Sequence, residues 1–103
     1  MNIVILGAGQ VGSELSAILA SDHDVTLIDL KQEKLQKISD HHDLKTICGN
    51  ACYPKTLEQA EIETADLAIA MTQYDEVNMV ACQMIKHMSR KTKTMARIRA
   101  TQY

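Results

Sequence analysis

Three glycines and one acid carry the chemistry that this sequence offers most clearly. Gly7, Gly9 and Gly12 stand as G-x-G-x-x-G inside NIVILGAGQVG, and Asp29 closes the next apolar run. Glycine at the first position permits a tight turn off a strand. At the second, the missing Cβ lets a pyrophosphate approach the backbone, and at the third it lets a helix pack close to a sheet. Ala8, Gln10 and Val11 complete the loop, whose N–H groups and helix dipole face phosphate without needing a cationic side chain. Asp29 lies near the position, about 20 residues past such a motif, where a carboxylate accepts hydrogen bonds from ribose hydroxyls. A glycine motif alone is weak, and a βα turn that binds nothing is the bland alternative. Context separates the two: a strand before, a helix after and an acid at the end of the next strand are all present.

These residues need elements to hold them. Ile3 to Leu6 is a continuous apolar run too short for a helix and without alternation, as expected of a parallel strand buried on both faces. From Gln10 the pattern turns helical, with Val11, Leu15, Ile18 and Leu19 expected on one side. Val25 to Ile28 is a second buried strand ending at Asp29, followed by Leu30 and by an amphipathic helix from Lys31 to roughly His41 that turns Leu35 and Ile38 inward. Lys31 and Lys34 oppose the dipole of that helix. That cost suggests a nearby anion, yet for Lys34 a scattered surface lysine is the favoured reading.

The third strand is Leu44 to Cys48, with Gly49-Asn50-Ala51 turning at the same edge. Pro54 opens a short helix to about Ala60. Leu67 to Met71 is the fourth strand, Thr72 to Asp75 closes it with Asp75 as helix cap, and a helix follows to about Met88 with Val77, Val80, Ala81, Met84 and Met88 as its core stripe. Thr94 to Arg99 is the fifth strand. Period-two alternation puts Arg97 and Arg99 on one face, either to reach an anionic ligand or partner, or to protect an edge strand by charge. Strands alternating with right-handed helical crossovers give an α/β, doubly wound parallel sheet of Rossmann type, order 3-2-1-4-5, without the sixth strand of the full fold.

Composition narrows the classes. A chain of 103 residues is one domain, small for a complete dinucleotide enzyme, with 46% apolar and 23% charged residues. The net charge of −2 argues against general nucleic-acid binding. Lys86, Arg90, Lys91 and Lys93 read as a solvated helix end. No apolar run suits a membrane span and no basic segment precedes the first strand, so neither membrane insertion nor a signal peptide is expected and the chain is read as cytosolic. Three cysteines fit a reducing compartment. Cys48 and Cys52, near His41 and His42, do not have the spacing of a zinc pair, and Cys82 reads as a buried apolar residue.

ILGAGQVG, the acid at Asp29, DEVNMVACQ from Asp75 to Gln83, and ARIR from Ala96 to Arg99 together resemble the N-terminal domain of the TrkA family of Trk potassium-uptake regulators, a domain type called RCK or KTN. The glycine motif is shared with many dehydrogenases, whereas DEVNMVACQ with ARIR is far more specific. The resemblance covers essentially the whole chain. It implies a regulatory domain, not an enzyme, that binds NAD(H) and ATP or ADP, assembles as a homo-oligomeric ring of Rossmann domains, and controls a Trk-type membrane potassium transporter from the cytoplasmic side. By this resemblance the Gly7 to Gly12 loop holds phosphates and Asp29, with Leu30 and Lys31 beside it, the adenosine ribose. Asn50 and Ala51 border adenine, while Thr72, Gln73 and Glu76 line the other half of the crevice. Arg97 and Arg99 approach the terminal phosphates of ATP or a subunit interface. The turn GNACYPKTL departs from the acidic or histidine-containing version of many family members. Family proteins also continue well past this length, so residues 1–103 are expected to be one domain of a longer protein.

Two rivals come from other classes. A dehydrogenase cofactor domain needs a general acid or base beside the nicotinamide; His23 lies in a turn away from the ligand edge, His41 and His42 end a helix, and His87 is late in another. A scaffold that uses the fold without ligand leaves Asp29 unexplained. Asp29 also predicts preference for NAD(H) over the 2′-phosphorylated cofactor, with Lys31 as the residue that opposes this.

Overall fold

The apolar run at the N-terminus becomes the middle of the sheet. In the computed structural model, which describes residues 1–99, β1 (Asn2–Leu6) pairs in parallel with β2 (Asp24–Asp29) on one side and β4 (Leu67–Ala70) on the other. β3 (Lys45–Cys48) lies beyond β2, and β5 (Lys93–Ala96) beyond β4, giving the order β3-β2-β1-β4-β5 with every pairing parallel. This is the doubly wound, Rossmann-like sheet expected from the pattern.

Each face is covered by two helices, which is why β1 could dispense with polar alternation. Ile3 and Ile5 pack with Val25, Leu27 and Leu35 on the face of α1 (Gln10–Ala20) and α2 (Gln32–Ser39). Val4 and Leu6 pack with Leu57, Ala81 and Ile85 on the face of α3 (Pro54–Gln59) and α4 (Asp75–Met88). A 3-10 turn at Ile62–Thr64, not anticipated, seats the buried Ile62 in the second cluster.

Four local expectations need correction. In α1 the line against the sheet is Gly12 and Ser16, with Leu15 and Leu19 partly buried, while Val11 and Ile18 are exposed. The closest approach at Gly12 fixes the helix rotation, and at 100° per residue this turns positions 11 and 18 aside. In α4 the buried line is Asn78, Ala81 and Ile85, and Val80 is exposed. Asp75 is not the cap: Tyr74 holds that position, and Asp75 is the first helical residue, with its carboxylate accepting the Arg99 N–H at 3.1 Å. The fifth strand ends at Ala96, because the next carbonyl, that of Arg97, accepts from the Asn78 side chain instead of from a neighbouring strand. The expectation that nothing regular follows the fifth strand falls on residues 100–103, outside the described residues.

Candidate functional site

The C-terminal ends of the strands open into a cleft of about 640 Å³, lined by the turns after β1, β2, β3 and β4 and by Arg97. Open α/β sheets bind ligands at this edge, where neighbouring crossovers diverge. A smaller hollow at the opposite edge, with Asn2, Asp24, Lys45 and Glu61 in its wall, has no glycine turn and no long-helix N-terminus.

The three motif glycines have different reasons to be glycine. Gly7 has φ +109°, and a Cβ there would stand 2.9 Å from the Met71 carbonyl carbon. At Gly12 a Cβ would stand 2.0 Å from the Gly7 carbonyl oxygen, so α1 can sit on the turn only with glycine there. Gly9 is different: a Cβ on its backbone meets nothing within 4 Å, and its φ of −71° is open to any residue. The fold needs Gly7 and Gly12 and makes no demand at Gly9. Gly9 is also the residue from which α1 starts, with no side-chain cap and no acid in the first turn. The positive end of an 11-residue helix therefore faces the cleft.

Asp29 clasps two turns together. Its Oδ1 accepts the Ala8 N–H at 2.8 Å and its Oδ2 accepts the Lys31 N–H at 2.9 Å. Each carboxylate oxygen has a second lone pair, so ribose hydroxyls fit the same group without displacing these bonds.

Beyond β3, Asn50 Oδ1 accepts the Cys52 N–H at 2.8 Å, shaping the turn that brings Ala51 and Cys52 to the cleft. The Cys52 thiol points to the Val77 carbonyl at 3.8 Å, and burial pushes its pKa up. Across the cleft, Thr72 is held by Asn78. The Thr72 N–H and hydroxyl donate to Asn78 Oδ1 at 2.9 and 2.7 Å, and Asn78 Nδ2 donates to the Thr72 and Arg97 carbonyls at 3.1 and 2.8 Å.

The charge of the lining runs against that of the chain. Asp29 is its acid, and Lys31, Lys34 and Arg97 are its cations, in a chain whose net charge is −2. None of the four histidines lines the cleft. Among the described residues, no group of three or more His, Cys, Asp or Glu is placed to hold a metal ion.

Most residues singled out from the sequence meet here. Gly7, Gly9, Gln10 and Val11 line the cleft at the turn after β1, and Asp29, Leu30, Lys31, Asn50 and Ala51 line it at the turns after β2 and β3. Thr72, Gln73 and Arg97 form the far wall. Ala8, Gly12, Glu76 and Arg99 are not in the lining. Ala8 and Gly12 are buried beneath the turn, Glu76 is an exposed residue of α4, and the Arg99 guanidinium donates to the Gln73 carbonyl. Lys34, an exposed residue of α2, also lines the cleft, beside Lys31. Cys52, Tyr74 and Val77 line it without having been anticipated. They lie beside Ala51, Gln73 and Glu76 in sequence, and only the path of each turn decides which neighbour faces inward.

The TrkA-N domain family model matches residues 3–103. The Trk system potassium uptake protein TrkA of Halomonas elongata is 44% identical over the whole of this chain, which corresponds to 23% of that protein. The archaeal homologue from Pyrococcus abyssi is 38% identical over 95% of the chain and 44% of its own length. Among solved structures, the TrkA-N domain of the Escherichia coli inner membrane protein ybaL superposes with a TM-score of 0.85 at 21% identity, covering 93% of this chain and 71% of that one. At that identity the likeness is one of fold. The chain thus spans about a quarter of the bacterial relative's length and under half of the archaeal one.

Proposed function

We propose a function from this premise: the chain belongs to the TrkA-N domain family. It is read as a non-catalytic sensor domain that binds adenine nucleotides, NAD(H) and ATP or ADP, and forms part of the regulatory subunit of a potassium-uptake system. The observation that carries this reading is Gly9. A residue that the fold leaves free to be anything is glycine where the turn into α1 lines the cleft, and a phosphate lying against that backbone accounts for it. The positive lining supports a polyanionic ligand, and Asp29 supports a ribose next to it. The name of the structural neighbour from Shewanella denitrificans, a Kef domain of TM-score 0.78 in AMP-bound form, supports the adenosine half.

In this reading Gly7 to Gly12 cradle phosphates, Asp29, Leu30 and Lys31 take the adenosine ribose, Asn50 and Ala51 border the base, and Thr72, Gln73, Glu76 and Arg97 serve the rest of the ligand. Arg99 acts from the rim or at a neighbouring subunit. The domains assemble as a homo-oligomer and act on a Trk-type membrane transporter from its cytoplasmic face. No helix among the described residues is long and apolar enough to cross a membrane. A ligand shifts such an assembly only by binding its states unequally. Calorimetric titration of the chain with ATP, ADP, NADH and NAD tests the site. Gly9→Val is expected to weaken all of them at least tenfold while the circular dichroism spectrum and unfolding midpoint stay near wild type. Unchanged affinity in that variant would place the ligand elsewhere.

A further inference from the structure

Asn78 is fully buried in the inward line of α4, and every hydrogen-bonding position of its carboxamide is used. The orientation is unambiguous, because the reverse would set Oδ1 against two carbonyl oxygens. A buried amide is tolerated only when fully paired, and this one in turn satisfies the Thr72 N–H and the Thr72 and Arg97 carbonyls, which an aliphatic residue of similar volume would leave without that partner. The amide also adds placement. Three of its bonds go to Thr72 and the fourth to the Arg97 carbonyl, and both of those residues line the cleft. The Arg97 N–H is fixed in turn to the Ala70 carbonyl at 2.9 Å. The peptide groups on either side of the Arg97 Cα are therefore held, while among the described residues its guanidinium makes no hydrogen bond or ion pair. Arg99 differs, since its guanidinium is already engaged by the Gln73 carbonyl.

We infer that Asn78 is the positioning residue for the phosphate end of the cleft: by tying the Arg97 carbonyl to Thr72 it sets how far the guanidinium stands from the glycine turn, and so which length of phosphate chain is favoured. This rests on the cleft being an adenine-nucleotide site. AMP carries one phosphate, which the glycine turn accommodates beside Asp29. The β- and γ-phosphates of ATP extend toward the Thr72 and Arg97 wall. Asn78 acts on ATP through Arg97 and is neutral towards AMP.

The test is the affinity of the chain for AMP and for ATP, in wild type, Asn78→Ser, Arg97→Ala and the double variant. Asn78→Ser is expected to lose at least tenfold in ATP affinity with AMP changed less than twofold, and to cause no further ATP loss once Arg97 is alanine. Parallel loss of AMP and ATP, an unchanged ATP affinity, or full additivity with Arg97→Ala would overturn the assignment. Nitrogen-15 spectra of the wild-type chain give a second readout that does not depend on the variant folding. The Asn78 side-chain amide signals are expected to move on adding ATP and to stay in place with AMP; equal response to both, or to neither, overturns it. A wild-type chain that binds no adenine nucleotide fails the site reading itself, a result distinct from any of these.

Discussion

The Ala8 N–H donates to the Asp29 carboxylate at 2.8 Å, so the acid that closes β2 also holds the glycine turn that closes β1. Asp29 serves the architecture before any ligand arrives. Asp29→Ala is therefore expected to cost about 1–3 kcal/mol in urea unfolding, the range for charge-assisted bonds to partly buried groups, together with at least tenfold in ATP affinity. Asp29→Asn keeps one acceptor and should fall between. Loss of affinity with unchanged stability would mean that the clasp does not contribute to folding.

The glycines should separate in a stability measurement. Gly12→Ala forces a methyl to within 2.0 Å of the Gly7 carbonyl oxygen, and backbone on both sides leaves little room to relax. A loss of about 3 kcal/mol or more is expected from such overpacking. Gly9→Ala meets no atom and should leave the unfolding midpoint within about 1 kcal/mol of wild type, because a methyl there only restricts the unfolded chain. Equal destabilisation by the two changes would contradict the geometry.

If adenosine sits where proposed, thiol chemistry at Cys52 reports its occupancy. Cys52 lines the cleft and burial raises its pKa, which lowers its thiolate fraction, whereas Cys48 is exposed. Alkylation followed by mass spectrometry should find Cys48 modified faster than Cys52. Saturating ATP should slow Cys52 further. An unchanged Cys52 rate with ATP bound would move the base away from that turn.

Acid stability has an identifiable contributor at the other edge of the sheet. Asp66 accepts the Asn2 N–H at 2.8 Å and pairs with Lys91 at 3.4 Å, and these contacts hold its pKa below the usual carboxylate value. A depressed folded-state pKa means stability that is present above the unfolded value and lost as pH falls through the folded one. Asp66→Asn should thus show a shallower loss of stability below about pH 4, in thermal unfolding followed at several pH values. Identical slopes would remove Asp66 from the acid response.

Much of this molecule is legible from pattern alone, and the reasons differ by element. β1 could be read because burial on both faces leaves a run with no polar residue. Strand order followed from the doubly wound pattern that the glycine turn and Asp29 announce, and crossovers of one hand then put two helices on each face. The two misplaced helix faces share a cause: α1 is rotated by contact at Gly12, which has no side chain to register in a hydrophobic count, and α4 by Asn78, which is polar and yet innermost. Periodicity registers apolar side chains, so a helix seated through a glycine or a paired amide is read a fraction of a turn away. The end of β5 was lost similarly, since an asparagine on another element takes the carbonyl that would have continued the ladder.

The central position of β1 also bears on how the chain is made. Its register joins Ile3 to Val25 on one side but to Leu67 on the other, so its second edge waits for a partner encoded far downstream. During synthesis the first strand leaves the ribosome long before β4 exists, and the half-built sheet has an apolar edge with unpaired main-chain groups. Contacts so distant in sequence slow folding and prolong exposure to aggregation. Slower elongation between β1 and β4, or chaperone depletion, should therefore harm this domain more than a helical bundle of equal length.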